Sequence, residues 1–373
     1  MRSTDALIIG GGIAGLTTAL VLAQRGQRVC LLEREARLAS QASGNNAAIF
    51  RPLEHDLDSA VLPRRSRQLL DEWLGPGLLD VSGLLLVSDQ APEVQSLGAL
   101  AEAAGVAHEL LDRQQLRELA PSLEGGDAQH GLWLREGGVL DVPALTAALA
   151  DRARALGADL RTGVSVQALD VQQGRVTGVV QRDGTRLQAG CVVAAGGAWN
   201  ARLAEASGAP LPLEPLRRHL VELQPSAEFA PEPVVWRLED EVYYRKHPAG
   251  VLASPCDENL AQPGAAADAD PRELDRLQVK LQRLAPGLAS AERRRAWACL
   301  RTFASDRELV LGEDPRLRGL HWFAGLGGRG MSVAPAAAEL LVAGIAGESR
   351  SQLAAFLTPA RLLQRPTSAD RTA

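Results

Sequence analysis

The sequence contains few aromatic residues. Of its 373 residues only 3% are aromatic, and the only two tyrosines, Tyr243 and Tyr244, are neighbours in the chain. A hydrophobic core with so few rings must be filled mainly by leucine, valine, isoleucine and alanine. Any reaction that requires a phenol has only these two side chains as candidates.

Cysteine pairs and clustered metal ligands are also missing. The four cysteines, Cys30, Cys191, Cys256 and Cys299, lie far apart and form no CxxC motif. The six histidines show no metal-ligand spacing. This pattern argues against a metal site and favours a reducing compartment, so we expect a cytoplasmic protein without a metal.

Long apolar runs and an excess of basic charge are absent as well. No run approaches the roughly 18 apolar residues of a membrane-spanning helix, and the N-terminus lacks the pattern of a signal peptide. The net charge of −5 gives no overall field that attracts nucleic acid. We therefore expect a globular protein with no membrane span, and a small molecule rather than nucleic acid as its partner.

A glycine-rich turn lies near the N-terminus. It follows an apolar run at residues 6–9, typical of a buried parallel strand, and precedes a predicted helix. Gly10 permits a tight turn, Gly12 lets the backbone approach a pyrophosphate, and Gly15 allows the helix to pack closely on the strand. The helix N-terminus supplies free N–H groups for phosphates, so the pattern predicts a dinucleotide site.

The choice between FAD and NAD depends on the later sequence. A second predicted strand ends at Glu33, where a carboxylate can bind ribose hydroxyls of either cofactor. Further glycine turns at residues 196–197 and 325–330 each follow a predicted strand. About 100 residues with a different pattern of predicted strands and helices interrupt the first domain. Several separated turns suit the long FAD molecule, so we expect FAD.

The order of predicted elements indicates an α/β protein with a discontinuous Rossmann-like FAD-binding domain. We expect this domain to comprise residues 1–82, 138–205 and 300–373. Residues 83–137 and 206–299 contain short strand patterns and an amphipathic helix that begins at Pro271. They predict an inserted α+β substrate domain, made of an antiparallel sheet plus helix.

Six motifs together resemble a known family. They are residues 10–15 with 33–35, 42–48, 138–143, 192–199, 300–303 and 327–331. In this order they resemble FAD-dependent oxidoreductases of the D-amino-acid oxidase superfamily, over most of the chain. The resemblance implies that the C–N bond of a D-amino acid or related amine is oxidised by hydride transfer to flavin N5. The resulting imine would hydrolyse to a 2-oxo acid.

Residues 240–250 and 297–306 are similar to D-arginine dehydrogenase and related D-amino-acid dehydrogenases. This similarity implies that Arg301 and Tyr244 bind the substrate carboxylate. Gln41 stands where that subfamily has a histidine, which leaves the substrate open. Neighbouring residues of a strand face opposite ways, so at most one of the two tyrosines should point into the site.

A second similarity points to another substrate. Residues 42–45, followed by Pro52, and residues 329–335 are similar to the FAD domain of the bifunctional tRNA 5-methylaminomethyl-2-thiouridine enzyme. It implies oxidative removal of an N-carboxymethyl or N-alkyl group, as in glycine-oxidase-like relatives. A third alternative is a flavin subunit of an electron-transfer complex. The electron acceptor, whether oxygen, a quinone or a carrier protein, is open in each case.

The candidate site residues follow from these motifs. The candidate catalytic residues are Arg301, Tyr244 and Arg218, with Arg301 chosen because its planar guanidinium binds a carboxylate with two hydrogen bonds. The residues expected to bind FAD are Gly10, Gly12, Ile13, Ala14, Gly15, Glu33, Arg34, Ser43, Gly44, Asn45, Asn46, Val166, Ala195, Gly196, Trp199, Gly327, Gly328, Arg329, Gly330 and Met331.

Overall fold

The computed structural model describes residues 4–226, 228–264, 268–348 and 351–363. The strands are β1 (Thr4–Ile9), β2 (Val29–Leu32), β3 (Ile49–Phe50), β4 (Leu79–Asp80), β5 (Leu84–Ser88), β6 (His108–Asp112), β7 (His130–Leu134), β8 (Gly138–Leu140), β9 (Asp159–Arg161), β10 (Val166–Gln172), β11 (Arg175–Gln181), β12 (Arg186–Ala194), β13 (Leu213–Gln224), β14 (Val234–Arg237), β15 (Val242–His247), β16 (Gly250–Ser254), β17 (Asn259–Leu260), β18 (Glu292–Ala304), β19 (Val310–Glu313) and β20 (Leu320–Ala324). The helices are α1 (Ile13–Gln24), α2 (Val61–Leu74), α3 (Ala91–Ala103), α4 (Arg113–Leu119), α5 (Val142–Ala155), α6 (Asn200–Ala206), α7 (Pro271–Leu284), α8 (Pro286–Ala289), α9 (Gly330–Ile345), α10 (Gln352–Phe356) and α11 (Ala360–Leu363).

The first sheet has a parallel centre. Its strands lie in the order β9, β2, β1, β12 and β20, all paired in parallel, and β19 joins β20 in an antiparallel pair. The hairpin of β10 and β11 extends from β12. β2 is buried along its whole length, and α1 is buried over its first eleven residues. Such continuous apolar runs are typical of a parallel sheet covered by helices, as the sequence predicted.

The large sheet is formed mainly by the later part of the chain. Its order is β17, β13, β16, β15, β14, β5, β7 and β6, and β18 pairs with β13 along twelve residue pairs. All neighbours are antiparallel except β5 and β14, which pair in parallel. Helix α7 covers one face through Leu277, Leu281 and Leu284. An α/β fold with an inserted, mostly antiparallel sheet plus helix is therefore confirmed.

The predicted domain boundaries can be compared with these strands. The segments 83–137 and 206–299 contain every strand of the large sheet except the end of β18, which continues to Ala304. We therefore propose that the substrate domain extends to residue 304 rather than 299. A third, small sheet joins β3, β8 and β4.

The pleat of the large sheet separates its side chains into two faces. Tyr244 of β15 packs with Val221, Val235 and the leucines of α7. Arg245 follows Tyr244 directly in β15, so its side chain lies on the face opposite to Tyr244. Side chains at directly paired positions share a face. The pairs Arg245 with Leu252 and Arg218 with Cys299 lie on this opposite face. We call this second face, with Arg218, Arg245, Arg301, Tyr243, Trp236, Trp297 and Cys299, the arginine face.

In the described ranges, no helix is long and apolar enough to cross a bilayer. The four cysteines are free thiols in the structure.

Candidate functional site

A cavity of about 560 Å³ opens at the carboxyl ends of β1, β2, β12 and β20. This is where open parallel sheets bind nucleotides. Twelve of the predicted cofactor-binding residues line it: Gly10, Gly12, Ile13, Ala14, Glu33, Arg34, Ser43, Val166, Ala195, Gly196, Trp199 and Gly327. Its volume is within the usual range for small-molecule and cofactor sites.

The glycines of the first turn are required by close backbone contacts. Gly10 has a φ of +105°, and a Cβ there would lie 2.5 Å from the carbonyl oxygen of Ala195. A Cβ at Gly15 would overlap the carbonyl oxygen of Gly10. Gly12 is the N-cap of α1 and has no side chain to cap it. The turn is therefore a glycine cradle at a helix N-terminus, in which side chains bind the N–H groups of Gly11 and Ile13, and it fits a pyrophosphate.

Glu33, the residue predicted to bind ribose hydroxyls, lines the cavity. Glu33 is 9% exposed, and its carboxylate accepts hydrogen bonds from the N–H groups of Gly11 at 2.6 Å and Glu35 at 2.9 Å. These bonds fix its orientation, while further lone pairs remain for ribose hydroxyls on the cavity side. The guanidinium of Arg34 lies 3.5 Å above the ring of Trp199, and both residues line the cavity.

The second glycine turn, at residues 325–330, closes another side of the cavity. Gly325 and Gly327 have positive φ values, and a Cβ at Gly327 would lie 2.5 Å from the ring of Phe303. Gly330 begins α9, whose N-terminus receives no side-chain cap from Arg329. A Cβ at Gly330 would meet Ile13 at 3.6 Å, so the N-termini of α1 and α9 approach each other beside the cavity.

Arg329 is committed to protein partners. Its guanidinium donates to Glu54 at 2.7 Å, to Glu308 at 3.0 Å and to the carbonyl of Arg307 at 3.0 Å. Burial raises the pKa of Glu308, but the hydrogen bond from His55 and the charge of Arg329 outweigh it and lower the pKa to about 2. We therefore withdraw the Arg329 side chain as a flavin contact and assign it a role in holding the glycine turn.

The same cluster contains the one group of metal-ligand type in the described residues. Ligand atoms of His55, Asp56 and Glu308 lie within 4.8 Å of one another. The guanidinium of Arg329 binds Glu308 directly, and its positive charge opposes a cation at this position. We propose no metal site there.

Residues 41–47, which we call the connecting segment, join the cavity to the arginine face. Gln41 and Ser43 line the cavity, and Ser43 Oγ accepts a hydrogen bond from the N–H of Ile13 at 2.9 Å. The carbonyl of Asn45 accepts from Arg301 Nη2 at 3.3 Å, and that of Ala47 accepts from Arg245 Nε at 2.5 Å. One short segment therefore contacts both the cofactor cavity and two buried arginines.

Three residues of this segment that were predicted to bind FAD, Gly44, Asn45 and Asn46, contact the backbone of the chain itself. The side-chain amides of Asn45 and Asn46 donate to the carbonyls of Ser40 and Ser43. A Cβ at Gly44 would overlap the carbonyl oxygen of Ala39. None of the three lines the cavity, nor do Gly15, Gly328, Gly330 and Met331.

Arg301 is buried without a carboxylate partner in the described part of the chain. It is 7% exposed, and its Nη1 donates to Cys299 Sγ at 2.9 Å and to the carbonyl of Leu300 at 3.3 Å. Arg301 does not line the cavity itself, but its neighbours Leu300 and Thr302 do. Since neighbouring residues of a strand face opposite ways, the link of Arg301 to the cavity is its bond to the carbonyl of Asn45 in the connecting segment. Its planar guanidinium has capacity for an anionic ligand there.

Arg218 lies beside Arg301 on the same face. Its Nη2 binds Glu258 at 3.0 Å, while its Nε is buried without a hydrogen-bond partner. The structure thus brings the predicted Arg218 and Arg301 together.

The prediction for Tyr244 needs correction. Tyr244 is fully buried on the α7 side, where its hydroxyl bonds to Ser122, which in turn donates to Glu232. Burial raises the pKa of Tyr244 and of Glu232. The register of β15 directs Tyr244 away from Arg301, so we withdraw it as a substrate contact.

Tyr243 takes the place expected for Tyr244. It lies on the arginine face, packs on Trp236 with ring centroids 4.8 Å apart, and is close to Cys256. Burial raises the pKa of its phenol, while the charges of Arg218 and Arg301 act in the opposite direction. One of the two phenols therefore faces the candidate site, and it is the first of the pair.

Sequence reasoning missed Arg245. It is 8% exposed, and burial lowers its pKa to about 10. The available signal was its position two residues after Tyr243, which places both on one face of a strand. Cavity-lining residues such as Arg182 and Arg202 belong to no motif and could not have been found from the sequence.

Comparison with known proteins gives a family. The model of the FAD dependent oxidoreductase family (DAO) matches residues 5–343. Bifunctional proteins named tRNA 5-methylaminomethyl-2-thiouridine biosynthesis bifunctional protein MnmC, from Burkholderia pseudomallei strains 668 and 1106a, are each 30% identical over 99% of this chain. The chain spans 61% and 60% of their lengths, respectively.

Solved structures share the fold. L-proline dehydrogenase from P. horikoshii superposes with a TM-score of 0.88 at 23% identity, covering 97% of this chain and 98% of that one. Glycine oxidase from Bacillus cereus ATCC 14579 superposes with a TM-score of 0.80 at 22% identity, covering 98% of this chain and 99% of that one. With the glycine cradle, the cavity and the family match, the chain belongs to the DAO family of FAD-dependent oxidoreductases.

Proposed function

We propose that this protein oxidises the carbon–nitrogen bond of an amino-acid-like amine whose carboxylate is bound by Arg301. The supporting observation is a buried guanidinium without a carboxylate partner in the described residues, bonded to the connecting segment that also lines the cofactor cavity. A buried charge is costly unless it is paired, so this side chain favours an anionic ligand. When bound, FAD supplies the hydride acceptor for this chemistry.

The chain's own residues would bind and orient the substrate. Arg301 would hold the carboxylate with two parallel hydrogen bonds, and Tyr243 would donate its phenolic proton from β15, on the same face of the sheet. A phenol is protonated at neutral pH, as a donor must be, and burial raises the pKa of Tyr243 further. Fixing one end of the substrate in this way positions its reacting carbon and reduces the entropic cost of reaction.

The charges on the arginine face bear on the choice of substrate. Arg218, Arg245 and Arg301 lie there, and Glu258 binds Arg218 and Arg307. A cationic side chain such as that of D-arginine would meet positive charges and few free carboxylates. We therefore favour a D-amino acid with a neutral or acidic side chain over a basic one.

A second candidate is the oxidative removal of an N-carboxymethyl group from a secondary amine. The similarity to the MnmC proteins over 99% of this chain supports it. The carboxylate of an N-carboxymethyl group would occupy the same place at Arg301. In both candidates the carbon that bears the carboxylate loses the hydride, and they differ in the substituent on the nitrogen and in the products that follow.

Anaerobic reduction of the bound flavin tests these proposals. The purified protein is mixed with D-amino acids, N-methyl amino acids and N-carboxymethyl amines, and loss of the oxidised-flavin absorbance is followed. A D-amino acid oxidised as proposed gives a 2-oxo acid and ammonia, whereas an N-carboxymethyl amine gives glyoxylate and the free amine. If every carboxylated amine leaves the flavin oxidised, the proposed function is wrong, and a subunit role becomes the better explanation.

The two tyrosines provide a matched pair of variants. Tyr243→Phe is expected to slow flavin reduction by roughly tenfold, since it removes a hydrogen bond to the substrate carboxylate. Tyr244→Phe is expected to leave reduction within about twofold and to lower the free energy of unfolding by about 1 kcal/mol, because Ser122 and Glu232 lose a partner. Stopped-flow reduction and urea denaturation measure the two effects. Equal rates for both variants would remove Tyr243 from the mechanism.

A further inference from the structure

The arginine face carries more positive charge than one substrate carboxylate requires. Arg301 and Arg245 make no ion pair in the described residues, and both are less than a tenth exposed. Arg51, which follows β3, adds a guanidinium 5.1 Å from the ring centre of Trp236. In the described residues Arg51 also makes no ion pair. The acids on or close to this face include Glu258, bound to Arg218, Glu222, 3.9 Å from Arg295, and Glu241, whose charge acts on Arg218.

Arg245 and Arg301 are held at two separate places. Arg301 is bonded to the carbonyl of Asn45 and Arg245 to the carbonyl of Ala47. Two residues of extended chain span at most about 7 Å, so the two guanidinium groups flank one short stretch of the connecting segment. A small molecule with an acidic group at each end has the size to reach both.

Unused hydrogen-bonding capacity on this face supports a polar occupant. Arg218 Nε and Trp297 Nε1 are buried without a hydrogen-bond partner, and both belong to the arginine face. Arg245 binds the carbonyls of Ala47 and Lys246 through its Nε and Nη1, and its Nη2 remains for a further partner. Buried polar groups of folded proteins are nearly always satisfied, so Arg218 Nε and Trp297 Nε1 point to a ligand that accepts hydrogen bonds.

We propose that the substrate carries a second acidic group, which binds Arg245 while its first carboxylate binds Arg301. This inference rests on the proposed function and adds a substrate class, dianionic amines such as dicarboxylic amino acids or N-carboxymethyl amino acids. The burial that lowers the pKa of Arg245 is a cost that a bound anion offsets. A carboxylate and a phosphate share the required chemistry.

Glutarate and its monoamide are suitable probes. They differ by one charge, and neither contains an amine, so both bind without being oxidised. Titration calorimetry with the FAD-loaded protein is expected to give a dissociation constant about 10- to 100-fold lower for glutarate than for the monoamide. Equal dissociation constants in the unmodified protein would overturn the proposal without the use of any variant.

Variants then locate the second anion. Arg245→Gln is expected to remove the preference for glutarate by weakening glutarate alone, and Arg245→Lys to retain part of it, because the charge remains. Lys246→Gln, the exposed neighbour on the opposite face of β15, should keep the full preference. If Arg245→Gln weakens both ligands equally, Arg245 only supports the Ala47 backbone and the proposal is wrong.

Two further comparisons identify the second acidic group and show whether the dianion inference or the proposed function is wrong. 4-Phosphonobutyrate replaces one carboxylate of glutarate by a phosphonate, and whichever of the two binds more tightly identifies the second group as phosphate or carboxylate. If neutral amino acids reduce the flavin but glutarate has no advantage, only the dianion inference fails. If glutarate is preferred but no amine reduces the flavin, the proposed function fails instead.

Discussion

Replacing Arg301 with methionine is expected to lower kcat/KM for carboxylated amines by about 10²- to 10⁴-fold. Two charge-assisted hydrogen bonds of about 1.5–3 kcal/mol each would be lost from the substrate carboxylate, and each 1.4 kcal/mol corresponds to a factor of ten. The FAD content should not change, because Arg301 lies outside the residues that line the cofactor cavity. Steady-state kinetics together with flavin absorbance per protein chain measures both quantities.

A control and a graded variant sharpen this test. Arg294 lies in the same strand, is exposed and pairs with Glu292 at 3.0 Å, so Arg294→Met should leave kcat/KM unchanged. Arg301→Lys keeps the charge but loses the planar fork, and we expect an intermediate loss expressed mainly in KM. Unchanged turnover in Arg301→Met would exclude Arg301 as the carboxylate ligand.

Gly15→Ala is expected to reduce bound FAD to less than about a tenth of that in the unmodified protein. A Cβ at this position would overlap the carbonyl oxygen of Gly10, so either the helix N-terminus or the turn must move. Overpacking of this kind costs roughly 1–3 kcal/mol, and it displaces the backbone cradle that we assign to the pyrophosphate. Flavin absorbance after purification and fluorescence titration with added FAD measure the loss.

Gly287→Ala is the matched control for this variant. A Cβ at Gly287 meets nothing within 4 Å, and the residue has no positive φ, so FAD content should stay normal. Circular dichroism of both variants tests whether the fold is retained. Full FAD content in Gly15→Ala would mean that the first turn does not hold the cofactor as proposed.

Local patterns explain why much of the cofactor cavity could be predicted from the sequence. The turn from Gly10 to Gly15 and the acid Glu33 are set by neighbouring elements of one βαβ unit, and strand–turn–helix order is readable along the chain. The second turn, with Gly327, is likewise a local signal. These positions line the cavity or, like Gly15, form the turn beside it.

Long-range pairing explains what could not be predicted. Alternation in β15 indicates that one tyrosine faces the site, but the choice of Tyr243 depends on the face that α7 covers. The partners of Arg329 include Glu54, 275 residues away in the chain. The contact of Arg245 with Ala47 joins residues 198 positions apart. No local sequence pattern predicts such long-range contacts, so only the three-dimensional structure shows them.

The most direct test of the account is anaerobic reduction of the bound flavin by a dianionic amine such as iminodiacetate, compared with its monoamide. We predict that both compounds reduce the flavin, that iminodiacetate half-saturates the reduction rate at a concentration about 10- to 100-fold lower, and that Arg301→Met abolishes saturation with either compound. A flavin that stays oxidised with these compounds and with all other carboxylated amines would contradict the central claim.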